Sequence, residues 1–376
     1  MTEPIEEVIV IGAGAAGLAA ADALARHGIK ASVFEKEAHV AEPWRQRHER
    51  LALNTHRDMS YLPGLPYPKG VPAFPPKAAV VSYLETFAEQ RGIAIEFDTE
   101  VERVTREGNQ WVAHTNKGSR RARNIIIATG HDKIPWMPDW PGASEYKGHL
   151  IHAARFGSPK DYEGKSVLVI GAGNSGFDAL NYLVGAKTAM IYLAARAGPS
   201  ILPKRIGKIA VQRFSRVTNA LPVPVGNFTV ALVQRLLFGD LRKLGFAPVK
   251  KGGISRLKED HVAIAADDGA IAAIKAGRIK VVPSVTGFTT DHVVLADGST
   301  VTADVVIAAT GYRTGLDTMF AGLDVVDGKG MPKTHGDQPS SPAGLWFISM
   351  QPSIVGHFYA AGQEARAIAA KIAGQR

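Results

Sequence analysis

Short, wholly apolar runs alternate along this chain with Ala- and Leu-rich stretches at helical spacing. The first run, EVIVI at 7–11, leads into the glycine-rich GAGAAG at 12–17, then a helical stretch to about His27, then the apolar ASVFE at 31–35. Strands this uniformly apolar belong to parallel sheets covered on both faces, and a helix between them makes a βαβ unit. The order recurs as SVLVI, GAGNSG at 171–176, a helix through about Val184, and TAMIYL. Two further apolar runs, RNIIIATG (123–130) and ADVVIAATGY (303–312), each end in Ala-Thr-Gly. The neighbouring GNQWVAHT and DHVVLADGSTV read as β-ribbons preceding them. The predicted fold class is α/β with two Rossmann-like dinucleotide-binding domains.

The glycines of each turn have separate tasks. Gly12 and Gly171 make the tight turn, Gly14 and Gly173 let the backbone approach a pyrophosphate, and Gly17 and Gly176 let helix and strand pack closely. Ala15 and Ala16, and Asn174 and Ser175, open the helices whose N-terminal amides would face the phosphates. Glu35 stands 23 residues after Gly12, where an acid hydrogen-bonds ribose hydroxyls and disfavours a 2′-phosphate. The second unit has Arg196 there instead, followed by Lys204 and Arg205, and a guanidinium matches a 2′-phosphate. The alternative for Arg196 is a solvated loop charge. The pattern therefore predicts FAD at the first turn and NADPH at the second. Lys36, Trp44, Arg45, Thr129 and Gly130 are further cofactor-binding candidates, as are Thr310, Gly311 and Tyr312. Two dinucleotide sites in one chain imply a two-dinucleotide-binding-domain flavoprotein that moves hydride from NADPH to flavin.

The order of motifs inserts the NADPH domain into the FAD domain. Residues 1–155 are expected to begin the FAD-binding domain, 156–295 to form the NADPH-binding domain with a helical insertion near 205–250, and 296–376 to complete the first. The stretch 221–247 has no dinucleotide pattern. Its apolar helical segment is expected to pack on the domain core, the alternatives being a substrate passage or contact with a membrane surface.

Composition narrows the chemistry. The chain has no cysteine, which removes disulfide scaffolds, thiolate metal sites, iron–sulfur clusters and redox-active Cys pairs. No metal site is expected. There are 44 Lys and Arg against 35 acids, a net charge of +9. The basic residues read as dispersed, with short knots at Arg45, Arg47 and Arg50 and at Arg120, Arg121 and Arg123, so small anionic ligands are favoured over nucleic acid. The apolar N-terminus imitates a signal peptide, but acidic Glu3, Glu6 and Glu7 precede it. No other apolar run reaches the ~18 residues of a membrane span. The expectation is a cytoplasmic protein with no stable membrane span.

YKGHLIHAARF at 146–156 resembles the fingerprint of the flavin-containing monooxygenases, with Tyr146, Gly148, His152 and Phe156 at its four marked positions and Tyr in place of the first Phe. Gly157 follows Phe156, a departure from the related Baeyer–Villiger pattern. NTHRDMSYLPGLPYP at 54–68 is similar to another segment of the same family, with Asn54, Thr55, Met59 and Ser60 coinciding. FEKEAHVAEPWRQRHERLALN, SILPKRI and VVIAATGYR look like the YUCCA-type subfamily, whose plant members convert indole-3-pyruvate to the acid one carbon shorter. SMQPSIVGHFYAAGQEA departs from that pattern in a region that would approach flavin and substrate.

The resemblance implies an FAD- and NADPH-dependent monooxygenase that forms a C4a-(hydro)peroxyflavin and places one oxygen atom in a small organic substrate. The chemistry would be N/S oxygenation or oxidative decarboxylation of a 2-oxo acid. It makes Asn54 the catalytic residue, beside the flavin, and lays the 54–68 loop over the ring. The partners would be a small molecule and O2. Alternatives are an NADPH oxidase or flavin reductase passing electrons onward, a Baeyer–Villiger enzyme, or a nucleotide sensor. A satisfied structural histidine is the alternative for His152. Substrate identity, the strictness of NADPH over NADH, and a homodimer stay open.

Overall fold

The computed structural model describes residues 5–375. The chain opens on β1 (Glu6–Ile11), α1 (Ala15–Arg26) and β2 (Ala31–Phe34). A long loop then leads to α2 (Lys77–Gln90), β3 (Ile95–Glu96), β4 (Val101–Glu107), β5 (Gln110–Thr115) and β6 (Gly118–Ile127). Next come β7 (His149–His152), β8 (Ser166–Ile170), α3 (Asn174–Leu183), β9 (Met190–Ala194) and α4 (Val223–Phe238). The chain ends through β10 (Ile279–Val282), β11 (Val305–Ala308), β12 (Leu345–Phe347) and α5 (His357–Ala373).

Contacts divide the chain into two units. One holds the chain up to Gln46, Thr55–Ile134 and everything from Tyr312, and the other holds Arg47–Asn54 and Pro135–Gly311. The first contains a sheet ordered β3-β2-β1-β6-β5-β4, with β12 also on β6. Its pairs β1–β2, β1–β6 and β6–β12 are parallel, while β4 and β5 form the antiparallel ribbon expected from GNQWVAHT. Alternation assigns Ile9, Ile11, Ile125 and Ile127 to one face, packed on Phe320 and Phe347. Helix α1 packs against α5.

The second unit contains a sheet ordered β10-β9-β8-β11-β7, all of its pairs parallel. Val167 and Val169 of β8 face Phe177 and Leu180 of α3, and Leu168 and Ile170 face Trp140 and Phe288 on the other side. Both faces being covered explains the unbroken apolar runs. The antiparallel ribbon Val285–Phe288, Val293–Leu295 and Thr300–Val301 matches the expectation from DHVVLADGSTV.

The chain passes between units after Ile134 and after Gly311, at places other than the expected 155 and 295. The expected first segment of the FAD domain contains β7, and the expected last segment contains β11. Both strands instead complete the second sheet, because β11 pairs with β8 on one side and β7 on the other. Residues 47–54 also join the second unit.

Candidate functional site

The two glycine turns repeat one geometry. Gly12 has φ +103°, and a Cβ on it would stand 2.8 Å from the Ala128 carbonyl oxygen; Gly171 has φ +110°, with Ala309 O at 2.5 Å. A Cβ on Gly17 would lie 1.8 Å from Gly12 O, and one on Gly176 would lie 1.9 Å from Gly171 O. At Gly14 and Gly173, by contrast, nothing lies within 4 Å of the added Cβ. Each turn thus closes tightly at its first and third glycines and is open at its middle one, the shape a pyrophosphate fills. Ala15 and Ala16 begin α1, and Asn174 and Ser175 begin α3, directly behind these openings.

In the first unit, buried Glu35 ends at the glycine turn. Its Oε2 accepts from Ala13 N at 2.7 Å and its Oε1 from Glu37 N at 3.1 Å. A carboxylate has about four lone-pair sites, so capacity for ribose hydroxyls remains. Thr129 Oγ1 is buried and has no hydrogen-bond partner, an orphan at the carboxyl end of β6 where ligands of parallel sheets sit. Both features fit FAD. Lys36 is exposed and pairs with Glu37 at 3.1 Å. Arg45, beside half-buried Trp44, is committed to Glu85 of α2. Gly130 follows Thr129 with φ +78°.

In the second unit, Arg196 is exposed two residues beyond β9 and makes no hydrogen bond or ion pair among the described residues. Its neighbours are engaged: Arg205 holds both oxygens of Asp268 at 3.0 Å. Burial pulls Lys204 below the usual lysine range, with Asp178 and Asp268 acting in the opposite direction. Asn174 Oδ1 accepts from Ala266 N at 3.3 Å. The open Gly173 and the uncommitted guanidinium fit NADPH. Thr310 Oγ1 donates to Trp136 O, and Gly311 O accepts from Trp136 N at 3.0 Å. Tyr312 begins the return to the first unit.

The fingerprint residues all lie in the second unit and carry its framework. Tyr146 OH donates to Ala303 O. A Cβ at Gly148 would meet the Tyr146 ring at 2.6 Å, so that ring requires the glycine. His152 Nδ1 accepts from Ala154 N at 3.0 Å, which assigns the proton to Nε2, and Nε2 donates to Gly311 O at 3.0 Å. Phe156 is buried against Tyr162, with ring centroids 5.0 Å apart. His152 therefore fastens β7 to the Gly311 turn.

Asn54 is held by a partner that spacing did not suggest. Its Nδ2 donates to Asp178 Oδ1 of α3 at 2.8 Å, across 124 residues of sequence. Nearby His48 packs edge-on to Tyr182 at 4.7 Å and against Phe156 at 5.2 Å. Burial pushes the Asp178 carboxyl up to about 6, opposed by the Asn54 hydrogen bond and by Lys204. The loop that follows is anchored in the first unit: Tyr83 OH accepts from Leu62 N at 2.6 Å and donates to Leu65 O at 2.8 Å. Thr55 and Ser60 hydroxyls bond each other at 2.6 Å, and Met59 is buried.

A cluster not singled out residue by residue lies past the carboxyl ends of β6 and β12. The rings of His131 and His357 are 5.4 Å apart, and burial, then the neighbouring His131, pushes His357 down to about 3, so it is neutral at working pH. Glu364 accepts from Ser349 N at 2.7 Å, burial raises its carboxyl, and Ser349 Oγ is buried without a partner. The departure of SMQPSIVGHFYAAGQEA from the plant pattern was the sequence signal for this region.

Residues 9–216 match the family model described as pyridine nucleotide-disulphide oxidoreductase. The indole-3-pyruvate monooxygenase YUCCA1 of Oryza sativa subsp. japonica is 32% identical over 315 residues, covering 82% of this chain and 77% of that protein. The probable indole-3-pyruvate monooxygenase YUCCA3 of Arabidopsis thaliana is 30% identical over 340 residues, covering 86% and 77%. This chain belongs to the YUCCA-type flavin monooxygenases. The fold agrees with the flavin-containing monooxygenase of Stenotrophomonas maltophilia, with a TM-score of 0.75 at 21% identity over 98% of both chains. As a flavin monooxygenase it uses FAD and NADPH. The disulphide chemistry in the name of the matching family model cannot run through side chains of this enzyme, which has no cysteine.

Proposed function

We propose that this monooxygenase converts a small 2-oxo acid of the indole-3-pyruvate kind to the acid one carbon shorter, with FAD at the Gly12–Gly17 turn and NADPH at the Gly171–Gly176 turn. In the balanced reaction one atom of O2 enters the acid, the other leaves as water, the substrate carboxylate departs as CO2, and NADPH supplies the hydride. The observation that carries the assignment of cofactors is the pair of turns open only at Gly14 and Gly173, followed by an acid in one and an uncommitted Arg in the other. FAD, when bound, supplies the electron transfer and the activation of O2.

The protein's own groups position and exclude. Glu35 takes a ribose diol at the first turn, and Thr129 Oγ1 gains the ligand it lacks. Arg196 takes the 2′-phosphate. Asn54 has the role its resemblance implies, and Asp178 orients its carboxamide, leaving Oδ1 without a hydrogen bond among the described residues. An amide donates and accepts without titrating, so it cannot protonate an oxygenating species away. Neutral His357 likewise adds no charge to the carboxyl edge of the first sheet.

The test is turnover with indole-3-pyruvate and NADPH, followed by identification of the product. The shorter acid, formed in step with CO2 and NADPH oxidation, supports the reading. An N- or S-oxide from amines or sulfides, with indole-3-pyruvate inert, would replace the substrate class and leave the cofactor assignment standing.

Two further results are expected. Arg196→Ala should weaken NADPH binding about ten- to a hundredfold and leave NADH nearly unchanged, since a charge-assisted fork to phosphate is lost. Titration of both nucleotides checks this, and equal losses would place the 2′-phosphate elsewhere. Asp178→Asn should stabilise the protein above pH 6. A carboxyl raised from 3.8 to about 6 binds its proton more tightly when folded, so it costs stability progressively between those values and fully above them. Partial solvent access discounts the gain to about 1–2 kcal/mol at pH 8, vanishing below pH 4. Melting curves across that range check it. An asparagine at 178 still accepts from Asn54, so coupling of NADPH oxidation to product should survive.

A further inference from the structure

Helix α4 is built inside out. Two of its polar side chains point inward: Asn227 Oδ1 accepts from Ile254 N at 2.9 Å and Ser255 N at 3.1 Å, and Gln234 Oε1 accepts from Ile201 N at 2.8 Å. Gly226, Val230 and Phe238 complete the buried side. The opposite side presents Val225, Phe228, Leu232 and Leu236, whose spacing keeps them within about a quarter turn. Phe228 is 67% exposed and Leu236 75%. The short helix Ser215–Ala220 packs beside α4 and adds Val217, 67% exposed, with Phe214 just before it at 57%. The sequence-based expectation that this segment packs on the core is therefore met on one side, and the other side carries an apolar ridge.

The charge of the segment that carries this ridge is equally lopsided. Residues 201–250 contain nine Lys and Arg and a single acid, Asp240, a net +8 against +9 for the entire chain. The basic groups read as dispersed along the sequence are thus concentrated, in net terms, in one segment. Lys208, Arg213, Arg216 and Arg235 of this segment are exposed.

We propose that this face of the second unit is an interfacial membrane-binding surface that lies in the headgroup region of an anionic bilayer. Exposed apolar side chains on a helix face, flanked by cations, are the requirement for such binding. The charge complementarity selects the occupant: a second copy of the same face would bring exposed Lys208, Arg213, Arg216 and Arg235 against a face equally rich in cations. A nucleic acid would leave the apolar ridge in water. The geometry is adsorption and not spanning, since α4 has 16 residues and no described helix is long and apolar enough to cross a membrane. Each lysine or arginine near an anionic surface strengthens binding about fivefold, and the ridge supplies the depth.

The experiment is vesicle sedimentation of the FAD-loaded enzyme. Phosphatidylcholine vesicles containing phosphatidylglycerol should retain it at least about tenfold better than phosphatidylcholine alone, and added salt should weaken retention. The double variant F228S/L236S should lose about tenfold or more on the anionic vesicles while keeping wild-type NADPH oxidation, because both side chains are already in water and support no core. Melting temperature checks that the variant is folded. Three results would overturn the proposal: no retention of wild type on anionic vesicles, equal retention of wild type and double variant, or a soluble dimer that the double variant dissolves. The last would give the face to a second copy.

Discussion

Replacing Asn54 with alanine is expected to uncouple the enzyme: NADPH is still oxidised at near the wild-type rate, but yield of oxygenated product falls roughly a hundredfold and H2O2 takes its place. The size follows from removing one oriented polar group from a reacting centre. Truncation also leaves the Asp178 carboxyl without its amide donor, which costs stability of about 1–3 kcal/mol. Assaying at a temperature well below the lowered melting point separates the two effects. Stoichiometric H2O2 against NADPH is the measurement. If product yield survives, Asn54 has only the structural task of tying residues 47–54 to α3.

The second large effect separates two glycines three residues apart. Gly173→Val should leave the protein folded and flavin-loaded, because its Cβ meets no protein atom within 4 Å, yet NADPH should reduce the flavin at least about a hundredfold more slowly at equal concentration. Gly176→Val should instead fail to fold its unit stably, by about 4 kcal/mol or more, since its Cβ would stand 1.9 Å from Gly171 O and backbone has nowhere to move. Flavin absorbance, thermal melting and NADPH titration on the pair check both halves. A Gly173→Val protein that still binds NADPH normally would remove the pyrophosphate from that turn.

These glycines show what the sequence made legible. The steric demands at Gly17 and Gly176, against Gly12 O and Gly171 O, arise within a single strand–turn–helix, so local spacing carries them, whereas Gly12 and Gly171 also meet Ala128 and Ala309, more than a hundred residues away. Which sheet a strand joins was not legible. His149–His152 and Val305–Ala308 are apolar runs like any other, and only their pairing with one another, across more than a hundred and fifty residues, places both in the second sheet. The Asn54–Asp178 bond is hidden by the same distance along the chain.

Helix Val223–Phe238 misled for a different reason. An apolar segment reads as core by default, and nothing local reveals that Asn227 and Gln234 are the side chains turned inward. The fingerprint positions are read from the sequence, but the contacts they make are visible only in three dimensions: Gly148 makes room for the Tyr146 ring, and His152 fastens the Gly311 turn.

In the proposed reaction this chain places one atom of O2 in a small 2-oxo acid at the expense of NADPH. Turnover of indole-3-pyruvate under isotopically labelled O2, with mass analysis of the acid formed, tests it most directly. One labelled oxygen per molecule of the shorter acid, formed in step with NADPH consumed, is the expected result. An unlabelled acid, or NADPH consumption matched by H2O2 with no new acid, would contradict it.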